Sequence, residues 1–442
     1  MVFQRKGLNS KRARSLALIA GVVVSGAALT LWVGAVVSGS LWHGPDDTFR
    51  QKAYEGCLQE LSPCLVTPEY DRTLKKIVIS LSRRDRTLKY HQEVLSRLPD
   101  YTEIILLVPK RNRQTIRARL KNKPYAHRIR FVAYDSRPRN EARFYLVFPE
   151  KDKLVQVDTG KARMSYTYGS LWAKDLFMAG RKSNGKTLIL ISDVYKWFVP
   201  YEDKTSLNVV GDNTYIGKLT SLGMEVSRLP VTFDGGNVFV DEYQGKRIVI
   251  FGGDVLRCTK TVWKSTRESQ VREKEIVKMM KKALDADQIV VPGGDSLQPA
   301  LMFHLDQAMT LLPERRVAVS RLSGDLPQDP NRIRELKGVE SYLCELRSTL
   351  TGLGYEVLDV EVSAHNVSNY QYYVNGIPYV DARTGERVYL MPVFPSSQTE
   401  FELELIKRNT DRFQSLGYRV VHVPTNADKI HGGIHCLVNV VE

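Results

Sequence analysis

A chain of 442 residues with 43% hydrophobic and 26% charged side chains has the balance of a protein that buries a core, which excludes wholesale disorder and collagen-like structure. Lys and Arg number 64 against 49 Asp and Glu, giving a net charge of +15. That surplus reads as dispersed among strands and helices, with no tract of interleaved aromatics, so it is assigned to solvated faces and no specific nucleic-acid partner is expected.

The chain opens on a basic tail, residues 1–14, in which Arg5, Lys6, Lys11, Arg12 and Arg14 precede the first carboxylate, Asp46. Residues 15–42 carry no charge and are long enough to cross about 30 Å of hydrocarbon as a helix. A cleavable signal peptide shares the basic start, but its apolar core is typically only about 7–15 residues. An uncleaved single-pass anchor is therefore expected. The basic flank places the N-terminus in the cytoplasm and everything after residue 42 outside it. In the connecting segment, residues 43–72, Cys57 and Cys64 lie close enough for a disulfide in an oxidising compartment. Cys258 and Cys344 read as buried core residues. Cys436 stands apart in context.

From about residue 73 onward, helical stretches alternate with short β-branched runs, the pattern of an α/β domain. Leu222-Gly223-Met224, Leu353-Gly354-Tyr355 and Leu416-Gly417-Tyr418 each end an amphipathic helix on a glycine and pass directly into a strand. Looser copies make five helix-to-strand units, with strands finishing near residues 132, 231, 291, 362 and 424. Such spacing suggests repeated modules that need neighbours to bury their faces.

Polar residues of unusual type follow these strand ends, where loops on a rigid scaffold tend to carry chemistry. After the first strand comes LWAKDLF (171–177), after the second FDGGN (233–237), after the third FHLDQ (303–307), and after the fifth HGGIHC (431–436). The loop after the fourth holds His365 and Asn366 and is less telling. A thiol, a histidine and several carboxylates at one mouth would support nucleophilic catalysis with imidazole acid/base assistance. Asp175, Asp234 and Asp306 together would accumulate unfavourable negative charge unless a cation sat among them. Guanidinium suits that place, being planar, always charged and able to engage carboxylates two bonds at a time.

Trp172-Ala173-Lys174-Asp175, Asp234-Gly235-Gly236-Asn237, His304-Leu305-Asp306 and Gly432-Gly433-Ile434-His435-Cys436, in that order, resemble the guanidino-group-modifying superfamily. The agmatine deiminase and bacterial peptidylarginine deiminase branch is the most similar. The segment 369–394, with its VNG and LMPVF pieces, is similar to that family's penultimate module, interrupted by an insertion around 383–387. The resemblance implies a five-bladed α/β propeller of ββαβ modules with pseudo-fivefold symmetry, occupying residues 73–442 behind the transmembrane helix. It implies Cys436 as the nucleophile that forms a covalent amidino-thioether and expels ammonia. His304 would protonate the leaving nitrogen and then activate water, giving a ureido product. Asp175 and Asp306 would bind guanidinium nitrogens, Trp172 would line the substrate site, and Asp234 would stand where relatives often carry Glu. No metal or organic cofactor is implied. The partners implied are a guanidino small molecule or peptidyl-arginine as substrate, with the membrane held through residues 15–42.

Other readings of the same residues are weighed beside this one. His431 and His435 have a metal-ligand look, but H-x3-H converges only on a helix, which Gly432-Gly433 disfavours. Asp175 also suits a helix cap. The Gly252-Gly253-Asp254 and Gly293-Gly294-Asp295 repeats read as structural turns. An amidinotransferase would share Cys436, His304 and the carboxylates but pass the amidino group to an amine. A non-catalytic descendant would bind arginine-containing ligands on the same scaffold. Arg163 and Arg181 are candidates for contact with a substrate carboxylate.

Overall fold

The longest helix shows how the sequence builds its repeating unit. In Pro330–Gly352, Asp329 caps the first turn by accepting from the Asn331 amide at 3.0 Å, and proline stands where no backbone donor is needed. Leu336, Val339, Leu343, Leu346 and Leu350 recur at three- and four-residue spacing and are all buried. Gly354 then turns the chain at φ +83°, as Gly223 and Gly417 do after their helices at +88° and +82°. The eight-residue run EVLDVEVS follows as the strand Glu356–Ser363.

This computed structural model describes residues 54–442 except 57, 82–87, 135–142, 149–152, 158–171, 193, 199–205, 211–215, 267–270, 295, 297 and 396–398. They belong to the compact unit Asp47–Glu442. Five small sheets share one plan, in which a central strand pairs antiparallel with one neighbour and parallel with the next across a helical connection. The central strands are Lys76–Ser80, Thr187–Ser192, Lys246–Phe251, Arg316–Ser323 and Arg387–Val393. Their antiparallel partners are Val438–Val440, Met178–Arg181, Val238–Tyr243, Met309–Leu312 and Ile377–Val380. The parallel partners are Glu103–Pro109, Glu225–Leu229, Gln288–Val290, Glu356–Ser363 and Arg419–Pro424. The expected strand ends near 231, 291, 362 and 424 meet strands ending at Leu229, Val290, Ser363 and Pro424, and the first meets Ile129–Tyr134, a fourth strand on the first sheet.

Burial joins the sheets in a circuit. Val78 and Leu107 of the first pack with Ile189 and Ile191 of the second. Leu190 packs with Val240 and Phe251 of the third. Ile250, Leu311, Val360 and Met391 unite the third, fourth and fifth, and Leu390 and Val423 return to Ile77 and Leu106 of the first. A propeller-like α/β arrangement of small sheets results. A sixth, wholly antiparallel sheet of Arg143–Phe148, Lys153–Val157, Val194–Phe198 and Ser206–Val210 was not anticipated from the sequence.

Several expectations are corrected. Among the described residues no helix is long and apolar enough to cross a membrane, which overturns the expected single-pass localisation with an extracytoplasmic body. Pro330–Gly352 has the length but places Arg332, Arg334, Glu335, Lys337 and Glu340 in its first half. Residues 15–42, and the tail before them, lie outside the described residues. Cys64 is a free, buried thiol directed at the Leu188 carbonyl, and Cys57, with which a disulfide would be permitted, lies outside the described residues. Burial pushes the Cys64 thiol up to about 12. Cys258 is buried as expected, whereas Cys344 is exposed on the solvent side of its helix. The segment read as a linker contributes buried Val66, Glu69 and Tyr70. The surplus charge is less dispersed than expected, because exposed Lys110, Arg111, Arg113, Arg117, Lys121 and Lys123 gather around the helix Arg113–Leu120.

Candidate active site

Four of the five sheets receive their antiparallel edge strand directly from a short helical turn, and those turns carry the polar residues singled out above. Ala173–Leu176 precedes Met178–Arg181, Gly235–Asn237 precedes Val238–Tyr243, Leu305–Ala308 precedes Met309–Leu312, and Ile434–Leu437 precedes Val438–Val440. Before the fifth such strand, Ile377–Val380, stands Asn375 in a turn closed by its amide on the Tyr372 carbonyl at 3.2 Å. The turns are tied to one another by side chains. The Asn439 amide donates to the carbonyls of Ala173 at 3.0 Å and Phe177 at 2.6 Å. Asn237 accepts from the Leu305 amide at 3.0 Å and donates to Asp254, so the Gly252-Gly253-Asp254 repeat supports the DGGN turn. Asn375 donates to the Asp306 carbonyl at 3.0 Å. Three asparagine side chains thus hold two of the turns, 173–177 and 305–306, through their backbone groups.

Cys436, His304, Asp306 and Asp234 are all buried, at 4%, 4%, 1% and 3% exposure, and Asp175 is nearly so. The Cys436 thiol donates to Asp306 Oδ2 at 3.1 Å, and Asn375 Nδ2 lies 3.4 Å from Sγ. His304 Nε2 meets Asp234 Oδ2 at 3.3 Å, and Nδ1 faces Asp175 Oδ1 at 3.8 Å. Asp234, one methylene shorter than Glu, therefore reaches the imidazole. Asp175 Oδ1 also accepts from the Gly236 amide at 3.4 Å. Gly236 holds the two halves together, since a Cβ there would stand 2.8 Å from Asp306 Oδ2 and 3.1 Å from Asp175 Oδ1. Asp306 Oδ1 is buried without a hydrogen-bond partner, a costly condition for a carboxylate oxygen. Trp172 is half-buried with its indole over Gly432, and Phe303 meets His304 edge-on at 4.8 Å.

The electrostatics follow from crowding three carboxylates in a dry site. Burial, reinforced by Asp234 and Asp306, pushes the Asp175 carboxyl up to about 7 against the opposing pull of His304. For His304, burial opposes protonation, but Asp175, Asp234 and Asp306 outweigh it and push the imidazole up to about 9. Burial, then Asp306 and Asp175, drives the Cys436 thiol well above its ordinary value. The site thus holds excess protons in the absence of a cation.

Every site residue expected from the sequence is at or beside this cluster, while the two arginines are not: Arg181 is exposed on its strand and Arg163 lies outside the described residues. The metal reading of His431 and His435 fails geometrically. His431 stacks on Tyr370 at 4.3 Å, whereas His435 turns both ring nitrogens to carboxylates, Asp306 at 2.9 Å and Glu69 at 3.0 Å. Asn375, His435, Glu69 and Lys174, whose ammonium bonds Glu69, were not anticipated as site residues. VNG within the segment 369–394 was the available signal for Asn375; Glu69 had none.

One tight contact gives a direct test. A Cβ on Gly235 would come within 2.1 Å of the Lys174 carbonyl, a backbone atom that cannot swing aside. Gly235→Ala should cost roughly 1–3 kcal/mol, measured as a fall in the denaturant midpoint. An unchanged midpoint would mean that the two turns are not packed so closely.

The fold and its buried thiol, imidazole and carboxylates define an α/β protein of small sheets whose cluster sits where the sheets' first strands begin. Solved structures share this fold. C. jejuni agmatine deiminase superposes with TM-score 0.51 at 13% identity, over 85% of this chain and 94% of that one. Agmatine deiminase of Enterococcus faecalis gives TM-score 0.54 at 12% identity, over 87% and 96%. A variant of the C. jejuni enzyme with substrate bound gives TM-score 0.51 at 12% identity, over 85% and 95%. No protein-family model matches the chain, and no curated protein sequence matches it. The fold is that of these agmatine deiminases.

Proposed function

We propose that this protein is a deiminase acting on an arginine-like guanidino group, with its five sheets as the blades of a propeller and the thiol cluster at the axis. The observation that carries the proposal is Asp306: one oxygen accepts the Cys436 thiol at 3.1 Å while the other is buried and unpartnered, close to Asp175 and the protonated His304. A guanidinium ion supplies the donors and the positive charge that this arrangement lacks.

In that reading Asp306 Oδ1 and Asp175 clamp guanidinium nitrogens, with Trp172 and Asp234 at the rim of the substrate. Cys436 Sγ bonds to the central carbon as its proton passes to Asp306 Oδ2. His304 gives its proton to a departing nitrogen, the C–N bond breaks, and ammonia leaves an amidino-thioether on the sulfur. Neutral His304 then takes a proton from water as the oxygen adds to the same carbon. The C–S bond breaks, Asp306 returns the proton to the sulfur, and the ureido product sheds its extra proton to solvent. Thiol, imidazolium and carboxylate are all restored. Fold sharing with an agmatine deiminase solved with substrate bound supports a small guanidino substrate.

The test is an assay of the full chain against agmatine, arginine, methylated arginine and an arginine-containing peptide, following ammonia and ureido product. Equal yields of the two from at least one compound are expected. Ammonia release without an added amine acceptor distinguishes this activity from amidino transfer, and no ammonia from any of the four would refute the proposal.

A further inference from the structure

Beyond Asp306, the carboxylate that accepts the Cys436 thiol, lies a chain of buried ionisable groups, His435, Glu69 and Lys174, that the reaction above does not use. Asp306 Oδ2, the oxygen that accepts the thiol, also meets His435 Nδ1 at 2.9 Å. His435 Nε2 faces both oxygens of Glu69, at 3.1 and 3.0 Å, and Glu69 is bonded to the Lys174 ammonium. Arg72 lies 3.9 Å from Glu69. The His435 ring is stacked parallel to Phe239 at 6.1 Å, so it cannot turn to other partners without losing that contact. Glu69, Lys174 and His435 are 7%, 7% and 5% exposed, and with Arg72 they line a small cavity.

We propose that Glu69 and His435 are positioning residues for Asp306, a buried relay that fixes which carboxylate oxygen faces the thiol and which faces the substrate, and that sets the pH at which Cys436 reacts. The proposal rests on the deiminase reading for its substrate, but its thiol chemistry can be measured without any substrate.

The physical argument is one of charge placement. Burial alone would strip the proton from His435, but Glu69 and the bond to Asp306 outweigh it and raise the imidazole above its ordinary value, with Lys174 opposing. The imidazolium is the cation nearest Asp306 on this side. At 2.9 Å from Asp306 Oδ2 it sets a positive charge against one of the two carboxylates, Asp306 and Asp175, that raise the thiol. Glu69 is itself held well below the carboxylate range against the cost of burial, by His435, Lys174 and Arg72. The groups facing this chain are then Arg72 and Glu69 from the segment before the first strand and Lys174 and Asp175 from the WAKD turn. Asp306, Cys436 and the Tyr389 phenol, whose titration feels Glu69, complete the set. Remove the Glu69 charge and His435 loses the larger of the two attractions that keep it protonated, so that Asp306 faces the thiol with a weaker counter-charge.

The experiment uses the full chain with Glu69→Gln, which preserves shape and removes charge. The rate of Cys436 alkylation by iodoacetamide is followed against pH, beside kcat and KM for whichever guanidine is turned over. The midpoint of the alkylation profile should move up by on the order of one pH unit, since the thiol loses a nearby positive charge. Turnover measured as kcat/KM should fall roughly ten- to a hundredfold, the scale of one lost charge-assisted hydrogen bond. A merely structural role would lower the unfolding midpoint and leave the alkylation profile where it was, and that result overturns the proposal. Should Glu69→Gln not fold, His435→Gln is read in the same way: its amide can still donate to Asp306 but bears no charge, so a profile identical to wild type overturns the proposal equally. Failure of the deiminase reading would appear separately, as absent turnover in wild type with the alkylation shift still present.

Discussion

Replacing Cys436 by alanine is expected to remove turnover, by at least about a thousandfold, while the unfolding midpoint stays close to that of wild type. The sulfur supplies the only nucleophile that the protein contributes to the proposed cycle. Its polar contacts are with Asp306 Oδ2 at 3.1 Å and with the Asn375 amide at 3.4 Å; without the sulfur, Asp306 Oδ2 keeps its bond to His435 Nδ1 at 2.9 Å and Asn375 keeps its bond to the Asp306 carbonyl at 3.0 Å. The burial that drives the thiol well above its ordinary value also makes it an unreactive neutral group in the absence of a cation, so alanine removes no buried charge. Retention of activity within a few-fold would eliminate Cys436 as nucleophile. Collapse of the fold would instead assign it a packing role beyond its contacts with Asp306 and Asn375.

The activity is expected to trace a bell between limbs near pH 7 and pH 9 when kcat/KM is followed, because the two groups poised in the free site require opposite states. Asp175, pushed up to about 7, must lose its proton to grip a guanidinium, so the rate falls as pH drops below that value. His304, pushed up to about 9, must keep its proton to release ammonia, so the rate falls as pH rises above it. Substrate binding near pH 7 should also expel a proton from Asp175, visible in calorimetry as a heat that depends on the buffer's ionisation enthalpy. Asp175→Asn should erase the acid limb and lower kcat/KM by roughly ten- to a hundredfold through the lost ionic bond. An acid limb that persists unchanged in Asp175→Asn would assign it to another group.

How much was legible in the sequence depended on whether a signal was local. Helix ends at Gly223, Gly354 and Gly417 were readable because a left-handed residue after an amphipathic run is written in a few neighbouring positions. Asp234, His304, Asp306 and Cys436 were readable because they lie in the stretches that follow parallel strands, and the three aspartates, Asp175 among them, were readable because their shared negative charge called for one cation. Glu69 was invisible on such grounds, since it meets His435 across 366 residues of chain and sits in a segment whose composition resembles a linker. His435 carried a signal that pointed elsewhere: paired with His431 it suggested a metal, and only the ring orientations separate the two. The antiparallel sheet of 143–210 was hidden because its strands are split, two ahead of the second unit and two inside that unit's crossover.

The pairing of Val438–Val440 with Lys76–Ser80 joins parts of the chain that are far apart in sequence, and the thiol sits two residues ahead of that junction. Contacts of such separation pay their closure entropy late, after local units have formed. Cys436 is therefore expected to join the cluster late in folding, and an intermediate with most of its sheets assembled is expected to show no turnover. The same seam is the natural place for fraying, so loss of catalysis under mild denaturant should run ahead of loss of helix.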